Sequence, residues 1–447
     1  MWNQKYLGVG IVVVSLVVVV AAGACSDDAE EEQQQDDEHV IDAEGIELLD
    51  DPDRCETGEN EPAGLMLTWQ QDPTTTITID WHSHDEQPRD TLCFREADDE
   101  QWTYLAESAG FDVPHLSRQG FRTELADLQP DTEYVFQVGE FDEEYRFRTM
   151  PEDIDEEPVV FATGGDTMHA PEMFEDVNEA AMQYELDFIA WGGDLAYADG
   201  GTDPFHDERW RWWFESLLDT LIYDDGRVVP IIAGIGNHEI AEGYYFEHDD
   251  FQPTDQWREE NAPYYFSLFA FPGQPGYDVL DFGDYMSLIV LDSDHANPVE
   301  GEQTQWLESV IAERHEAGVD HIFPLYHVAA FPSDRSLDGD IQTRIRDHWV
   351  PLFEQNGVEW VFEKHDHTYK RTHPIREGEV DEEEGIIYIG DGAWGVITRS
   401  GDSADEWYID RFESIRHAII VTLKGDQRHA EVVSERKEII DEVGEPL

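Results

Sequence analysis

Positive charge is what this 447-residue chain has least of. Its 27 lysines and arginines stand against 103 aspartates and glutamates, a formal net charge of −76, and lysine is the scarcer of the two cations. That balance excludes a protein built to hold the outside of a nucleic-acid duplex or an anionic membrane, since both require basic patches. Long apolar runs are missing too, apart from Leu7 to Ala21, so no second membrane span is expected. Cysteine occurs three times. What is present is enough for real cores: 40% hydrophobic and 12% aromatic residues argue against a wholly disordered acidic chain. The length suits two or three domains at ~100–200 residues each. An acid-coated, lysine-poor surface needs dissolved cations to screen its self-repulsion, so a salt-adapted, halophilic protein is expected. The alternative is an acidic exported protein without that adaptation.

The apolar run follows Lys5 and closes with Ala22-Gly23-Ala24-Cys25, then Ser26-Asp27-Asp28. Small residues before a cysteine at the end of a short apolar region resemble the lipobox of a bacterial lipoprotein. Residues 1–24 would then be a signal peptide, and Cys25 the lipidated N-terminus. An uncleaved anchor is the other reading, although the run falls short of the ~20 residues of a comfortable span. Either way the remainder is exported, to be held at the cell envelope, on its outer surface or periplasmic face. No twin-arginine pair precedes the run, which favours a Sec-type route. In that oxidising setting Cys55 and Cys93 are expected to pair, with two free thiols as the alternative.

Residues 25–62 read as an acidic disordered tether, with a short turn around Ile46 to Leu49. Residues 63–150 read as all-β, because Leu65–Trp69, Thr76–Trp81, Phe121–Leu125, Tyr134–Val138 and Tyr145–Thr149 alternate or are β-branched. Such short strands suggest a small β-sandwich. Leu128-Gln-Pro-Asp-Thr-Glu-Tyr134 resembles the corner of fibronectin type III-like modules.

From 155 to 425 the pattern becomes α/β, with residues 426–447 as a C-terminal tail. Val159–Thr163 ends in Gly-Gly-Asp166, and Phe188–Trp191 in Gly-Gly-Asp194. Val228–Ala233 leads to Asn237-His238-Glu239, His321–Tyr326 to His327, and Val358–Phe362 to Lys364-His365-Asp366-His367. Ligand sites of open α/β sheets lie beyond the carboxyl ends of strands. Asp166, Asp194, Tyr197, Asn237, His327, His365 and His367 offer carboxylate, phenolate, amide and imidazole groups at that edge. The mixture suits iron, zinc or manganese and lacks the thiolates of a structural zinc site. A single Asp or His of this kind is commonplace, and the joint placement carries the inference. One bridging Asp can hold two cations ~3.5–4 Å apart, the spacing used for phosphate-ester hydrolysis.

Gly193-Asp-Leu-Ala-Tyr197, Gly236-Asn-His-Glu239 and His365-Asp-His-Thr-Tyr-Lys-Arg371 resemble the GDxxY, GNHE and GHxHxYER signatures of purple acid phosphatases. These are the calcineurin-like metallophosphoesterases that carry a tyrosine ligand. The resemblance spans about 63 to 425. It implies a four-layer α/β/β/α catalytic sandwich preceded by an all-β fibronectin type III-like sandwich. It further implies iron(III) held by Asp166, Tyr197 and His367, with Asp194 bridging, and a divalent ion (iron, zinc or manganese) on Asn237, His327 and His365. A metal-bound hydroxide would attack phosphorus in line, and His238 would protonate the leaving alkoxide. The implied substrates are small extracellular phosphomonoesters. Alternatives are a phosphodiesterase or nucleotidase of the same superfamily, or a non-catalytic lipoprotein that binds phosphate or metal at the surface.

Three departures stand out. The first motif reads Asp166-Thr167-Met168 rather than Asp-x-Gly, with His169 following as an expected bystander. Lys364 replaces the glycine of GHxH and is expected to point away. Ala329-Ala-Phe-Pro-Ser333-Asp-Arg335 lacks the further histidines of plant-type members, which leaves Arg335 as a candidate phosphate contact. The loop Tyr244–His248, just past GNHE, is expected to line the cleft, with His248 as a second candidate there. Asp292 is expected to support the ligands from behind, and Trp210–Phe214 to be core.

Overall fold

The computed structural model describes residues 46–48, 55, 62–83, 91–113, 118–139 and 143–447. The expected signal peptide, Cys25 and most of the expected tether lie outside them. Among the described residues no helix is long and apolar enough to cross a membrane.

Alternating side chains build the N-terminal sandwich from two antiparallel sheets. One runs Gly64–Thr68, Ile77–Ser83, Gln119–Leu125, Ala109–Asp112, and the other Ile46–Leu48, Tyr104–Glu107, Thr91–Glu96, Glu133–Val138, Tyr145–Arg148. The turn expected around Ile46 is therefore a strand, paired with Tyr104–Ala106. A disulfide joins Cys55 to Cys93, with 6.1 Å between their Cα atoms. Tyr134 places its hydroxyl on the Gln129 backbone N–H at 2.9 Å, which closes the corner the sequence motif suggested.

The larger part holds two further sheets face to face. In the six-stranded sheet Ile231–Ala233, Phe188–Trp191 and Val159–Gly164 are parallel, and His417–Lys424, Gln427–Ser434 and Ile439–Gly444 continue it antiparallel. Residues 426–447, expected as a tail, thus supply two strands. Ala430, Val432 and Val443 are buried there, an alternation that the intervening charged residues obscure in the sequence. The seven-stranded sheet carries Met286–Val290, His321–Val328, Trp360–Lys364 and Ile387–Gly390 in parallel. Phe161 meets Phe323 and Phe362 across the inter-sheet core, at ring-centroid distances of 6.0 and 6.3 Å.

Helices cover both outer faces. Pro171–Ala181 begins with a proline suited to the first helical turn and buries Phe174, Val177 and Ala181. His206–Thr220 buries Trp210, Trp213, Phe214 and Leu217, a helical stripe, so the tryptophan cluster is core. Glu302–Ala317, with Leu307 and Ile311 buried, lies against the other sheet. The result is an α/β/β/α sandwich.

The small sandwich is packed into this body. Trp69 sets its ring edge-on to Phe188 and Phe282 at 5.9 and 5.7 Å, inside one continuous apolar core. Arg122 bonds Asp80 at 2.6 Å and reaches the carbonyls of Ser267 and Leu268.

Candidate metal centre

Strand ends gather the expected ligands at one edge, and the backbone bends sharply to do it. Asp166, Asp194, Tyr197, His365 and His367 all have positive φ, between 54° and 84°. That region is uncommon for any residue with a Cβ and a genuine outlier for one as bulky as tyrosine. Such conformations persist where the surrounding fold over-determines them, and they cluster at functional sites. Gly193, at φ 95°, lets two ligand loops meet, because a Cβ there would strike the backbone of Ile235 and Gly236.

The side chains form two groups that share one carboxylate. Asp194, His327 and His365 turn ligand atoms toward one another, and so do Asp166, Asp194 and His367. His327 Nε2 lies 3.1 Å from Asp194 Oδ2 and 3.0 Å from His365 Nδ1. His367 Nε2 lies 2.9 Å from Asp166 Oδ1 and 3.1 Å from the Tyr197 hydroxyl, which is itself 3.2 Å from Asp166 Oδ1. Asn237 Oδ1 is buried without a hydrogen-bond partner. An orphaned buried oxygen is costly unless something cationic or donating meets it. The donor set therefore fits two hard or borderline cations.

Electrostatics agree. Burial alone would raise the Asp194 carboxyl, but His327 and His238 hold it well below the usual carboxylate range. Burial would lower His327, yet Asp194 outweighs it and pushes the imidazole up to about 9. Burial, with the Asp166 and Asp194 charges, holds the Tyr197 phenol well above its ordinary value. Without a cation the cluster keeps protons between its carboxylates and rings. A bound metal ion inverts that preference and takes the deprotonated ligands.

Supports surround the ligands. Glu239 is fully enclosed and accepts from the backbone N–H groups of Asp194, Leu195 and Gly236 at 2.7–2.8 Å, which clamps two ligand loops together. His238 donates its backbone N–H to Asp194 Oδ1 at 2.8 Å, and its Nδ1 is bonded to the Asp199 carboxylate. Its Nε2 stands 3.9 Å from Asp194 Oδ2. Burial opposes a charge on this ring, but Asp194 and Asp199 raise it above its ordinary value. Asp199, Asn237, His238 and Tyr244 line a cleft of about 300 Å³.

The remaining candidates divide. His169 packs its ring 4.6 Å from Tyr197 and accepts the Ile397 N–H at 3.1 Å, a bystander beside the ligands. Lys364 does turn away: it is buried under Gly165 and Gly192, its ammonium has no hydrogen-bond partner and lies over the Phe362 ring at 5.6 Å, and burial pulls it down to about 7. Arg335 gives Nη1 to the His365 carbonyl at 2.9 Å and to Asp366 Oδ1 at 2.7 Å, which anchors the guanidinium to the ligand loop. His248 is not among the residues that line the cleft. Its Nε2 is bonded to the Ala241 carbonyl at 2.8 Å and its ring packs on Trp257. Asp292 accepts from the backbone of His295 and Ala296 and from Asn297, so it shapes a loop rather than backing the ligands. Sequence reasoning missed Asp199 and His295, whose contacts cross between loops and leave no local pattern, and it placed the Tyr244 loop at the cleft without a role for Tyr244 itself.

Parallel strands that deliver two carboxylate–histidine groups with a common aspartate define a metallophosphoesterase of phosphatase type. Residues 62–149 match the family model described as the purple acid phosphatase N-terminal domain. The chain is 25% identical over 335 residues to purple acid phosphatase 18 of Arabidopsis thaliana, covering 71% of this chain and 69% of that one. It is 24% identical over 369 residues to an uncharacterised Mycobacterium tuberculosis protein, covering 72% of this chain and 64% of that protein. A purple acid phosphatase from yellow lupin (Lupinus luteus) seeds shares the fold, with a TM-score of 0.69 at 16% identity over 86% of this chain and 74% of the other. The structure of PhoD does so at 0.63 and 12%, over 86% and 92%. Residues 62–149 are thus a purple acid phosphatase N-terminal domain, and the chain that follows is similar to purple acid phosphatases.

Proposed function

We propose that this protein is a binuclear metallophosphatase that releases phosphate from small extracellular phosphomonoesters, tethered to the cell envelope by a lipid on Cys25. The observation that carries the reading is Asp194, whose carboxylate belongs to both ligand groups. Asp166, Tyr197 and His367 would hold iron(III), because a phenolate beside a carboxylate and an imidazole is a hard donor set that suits a strong Lewis acid. Asn237, His327 and His365 would hold a divalent ion: iron, zinc or manganese. When bound, the two cations supply charge neutralisation for the phosphate and acidify the water that hydrolysis needs.

The chain's own groups do the rest. Asp199 occupies His238 Nδ1, so Nε2 is the ring atom left at the cleft to hand a proton to a departing alkoxide. Asp199 also stabilises the imidazolium until that transfer. Glu239 keeps Asp194 and the Asn237 loop in register without any side-chain freedom at the ligands. A protein that merely sequesters phosphate has no use for this acid and its orienting carboxylate.

Turnover of a chromogenic phosphate monoester and the matching diester, side by side in molar salt, tests the reading. Faster monoester cleavage is expected. Preference for the diester would replace the proposal with a phosphodiesterase or nucleotidase. Failure to cleave either, by protein shown to hold two metals, would point to a surface binding protein.

A further inference from the structure

Metal-binding histidines are usually fixed by what their second ring nitrogen meets. His327 Nδ1 faces the Gly192 carbonyl at 2.9 Å, and His367 Nδ1 the Ile397 carbonyl at 3.3 Å. Each donates there, which leaves Nε2 with the lone pair turned toward the carboxylates. His365 is reversed. Its Nδ1 faces inward, 3.0 Å from His327 Nε2, and its outward Nε2 has no carbonyl partner among the described residues. What stands at Nε2 is the Tyr244 hydroxyl, 3.4 Å away at the long end of hydrogen-bond range.

Tyr244 is held in that pose by a stack of rings. Its ring lies between Phe246, at 5.2 Å and 9°, and His295, at 5.2 Å and 28°. The Arg344 guanidinium lies over the Phe246 ring at 5.6 Å. At the inner end His295 Nδ1 meets the Gly243 carbonyl at 3.1 Å, and its Nε2 lies 3.2 Å from Ser293 Oγ. With Nδ1 donating to that carbonyl, Nε2 accepts the Ser293 hydroxyl proton, and Ser293 Oγ in turn accepts the Val328 N–H at 2.8 Å. The stack is thus fastened to the strand end that delivers His327. Tyr244 meanwhile walls the cleft beside His238 and Asn237.

We propose that Tyr244 is a positioning residue for His365: its oxygen accepts the Nε2 proton and fixes the tautomer that turns the Nδ1 lone pair toward His327 and Asp194. It thereby sets how tightly one of the two cations is held, and the Phe246–Tyr244–His295 stack keeps it there. The inference rests on the binuclear reading above.

The test uses the full-length holoprotein in molar salt, dialysed against rising dipicolinate, with metal per chain measured by plasma mass spectrometry. Tyr244→Phe should release one of its two equivalents at about 10–100-fold less chelator than wild type, the other equivalent keeping its wild-type midpoint. Phe246→Leu, at an exposed ring that touches no ligand, should shift the same equivalent by less. Wild-type midpoints for both equivalents in Tyr244→Phe, or equal shifts of both, would overturn the proposal. An unshifted Phe246→Leu would remove the stack from it. Wild-type protein with fewer than two equivalents would instead overturn the binuclear reading.

Discussion

His238 meets three groups at once: its N–H holds Asp194, its Nδ1 is bonded to Asp199, and its ring lies 4.1 Å from that of Tyr197. In the proposed role of proton donor, His238 matters most when the leaving group is a poor one. His238→Asn is therefore predicted to lower kcat on an alkyl phosphate by about 10²–10⁴-fold. On p-nitrophenyl phosphate the loss should be far smaller, since the phenolate leaves without a proton. Equal losses on the two substrates would contradict the acid role. At this scale the ligand types were legible, because an Asp, Asn or His closing a buried strand has few structural reasons to be there. Asp199 was not legible, nor was the contact Tyr244 makes, although its loop was placed at the cleft. Each acts across a gap of tens of residues, and an exposed Asp or a loop Tyr carries no periodicity. The left-handed backbone at Asp166, Asp194, Tyr197, His365 and His367 left no trace either, since non-glycine residues there are chosen by the site and not by propensity.

Elements position the site through their carboxyl ends, and the runs that build them could be read directly. Val159–Gly164, Phe188–Trp191 and His321–Val328 are buried almost along their whole length, as central parallel strands are. The failures came at the edges. Gln427–Ser434 and Ile439–Gly444 carry charges on one face, and their apolar face becomes visible only once His417–Lys424 is beside them. The anchoring of Arg335 was hidden for a related reason: nothing nearby in the chain announces that Asp366 and the His365 carbonyl will hold its Nη1. A chain stopped after Gly425 loses the buried Ala430, Val432, Val433 and Val443 and uncovers the strand they pair with. At about 1.5–3 kcal/mol for each large aliphatic side chain, that deficit approaches the ~5–15 kcal/mol stability of a typical domain. The truncated chain is predicted to yield no soluble folded protein. Recovery of a soluble chain with a cooperative thermal transition would show the two strands to be dispensable.

For the molecule as a whole, charge and protonation set the working conditions. With a net charge of −76, self-repulsion opposes the compact state and salt relieves it. The melting temperature should fall markedly between molar and millimolar salt, and identical curves would remove the halophilic reading. Acid acts through different groups. Burial lowers His417 to about 3, with its Nδ1 near the Ile415 carbonyl, and lowers His321 to about 4. In the unfolded chain both titrate near 6.5. The stability they contribute is complete above that value and is lost as pH falls from about 6.5 toward 3–4, where the unfolded state takes up protons that the folded state refuses. Each costs about 2 kcal/mol at pH 5 relative to pH 8. His417→Phe should therefore show a shallower fall in melting temperature from pH 7 to pH 5 than wild type, in molar salt. An identical slope would mean that His417 is already protonated in the fold.

The joint ownership of Asp194 by two ligand groups is tested most directly by counting metals. Full-length wild-type protein and Asp194→Ala, both checked for folding by circular dichroism, would be dialysed in molar salt and their metal per chain measured by plasma mass spectrometry. Two equivalents in wild type and weakened retention of both in the variant are predicted, because one carboxylate serves both groups. A single equivalent in wild type, or a variant that still holds two as tightly, would contradict a shared binuclear centre.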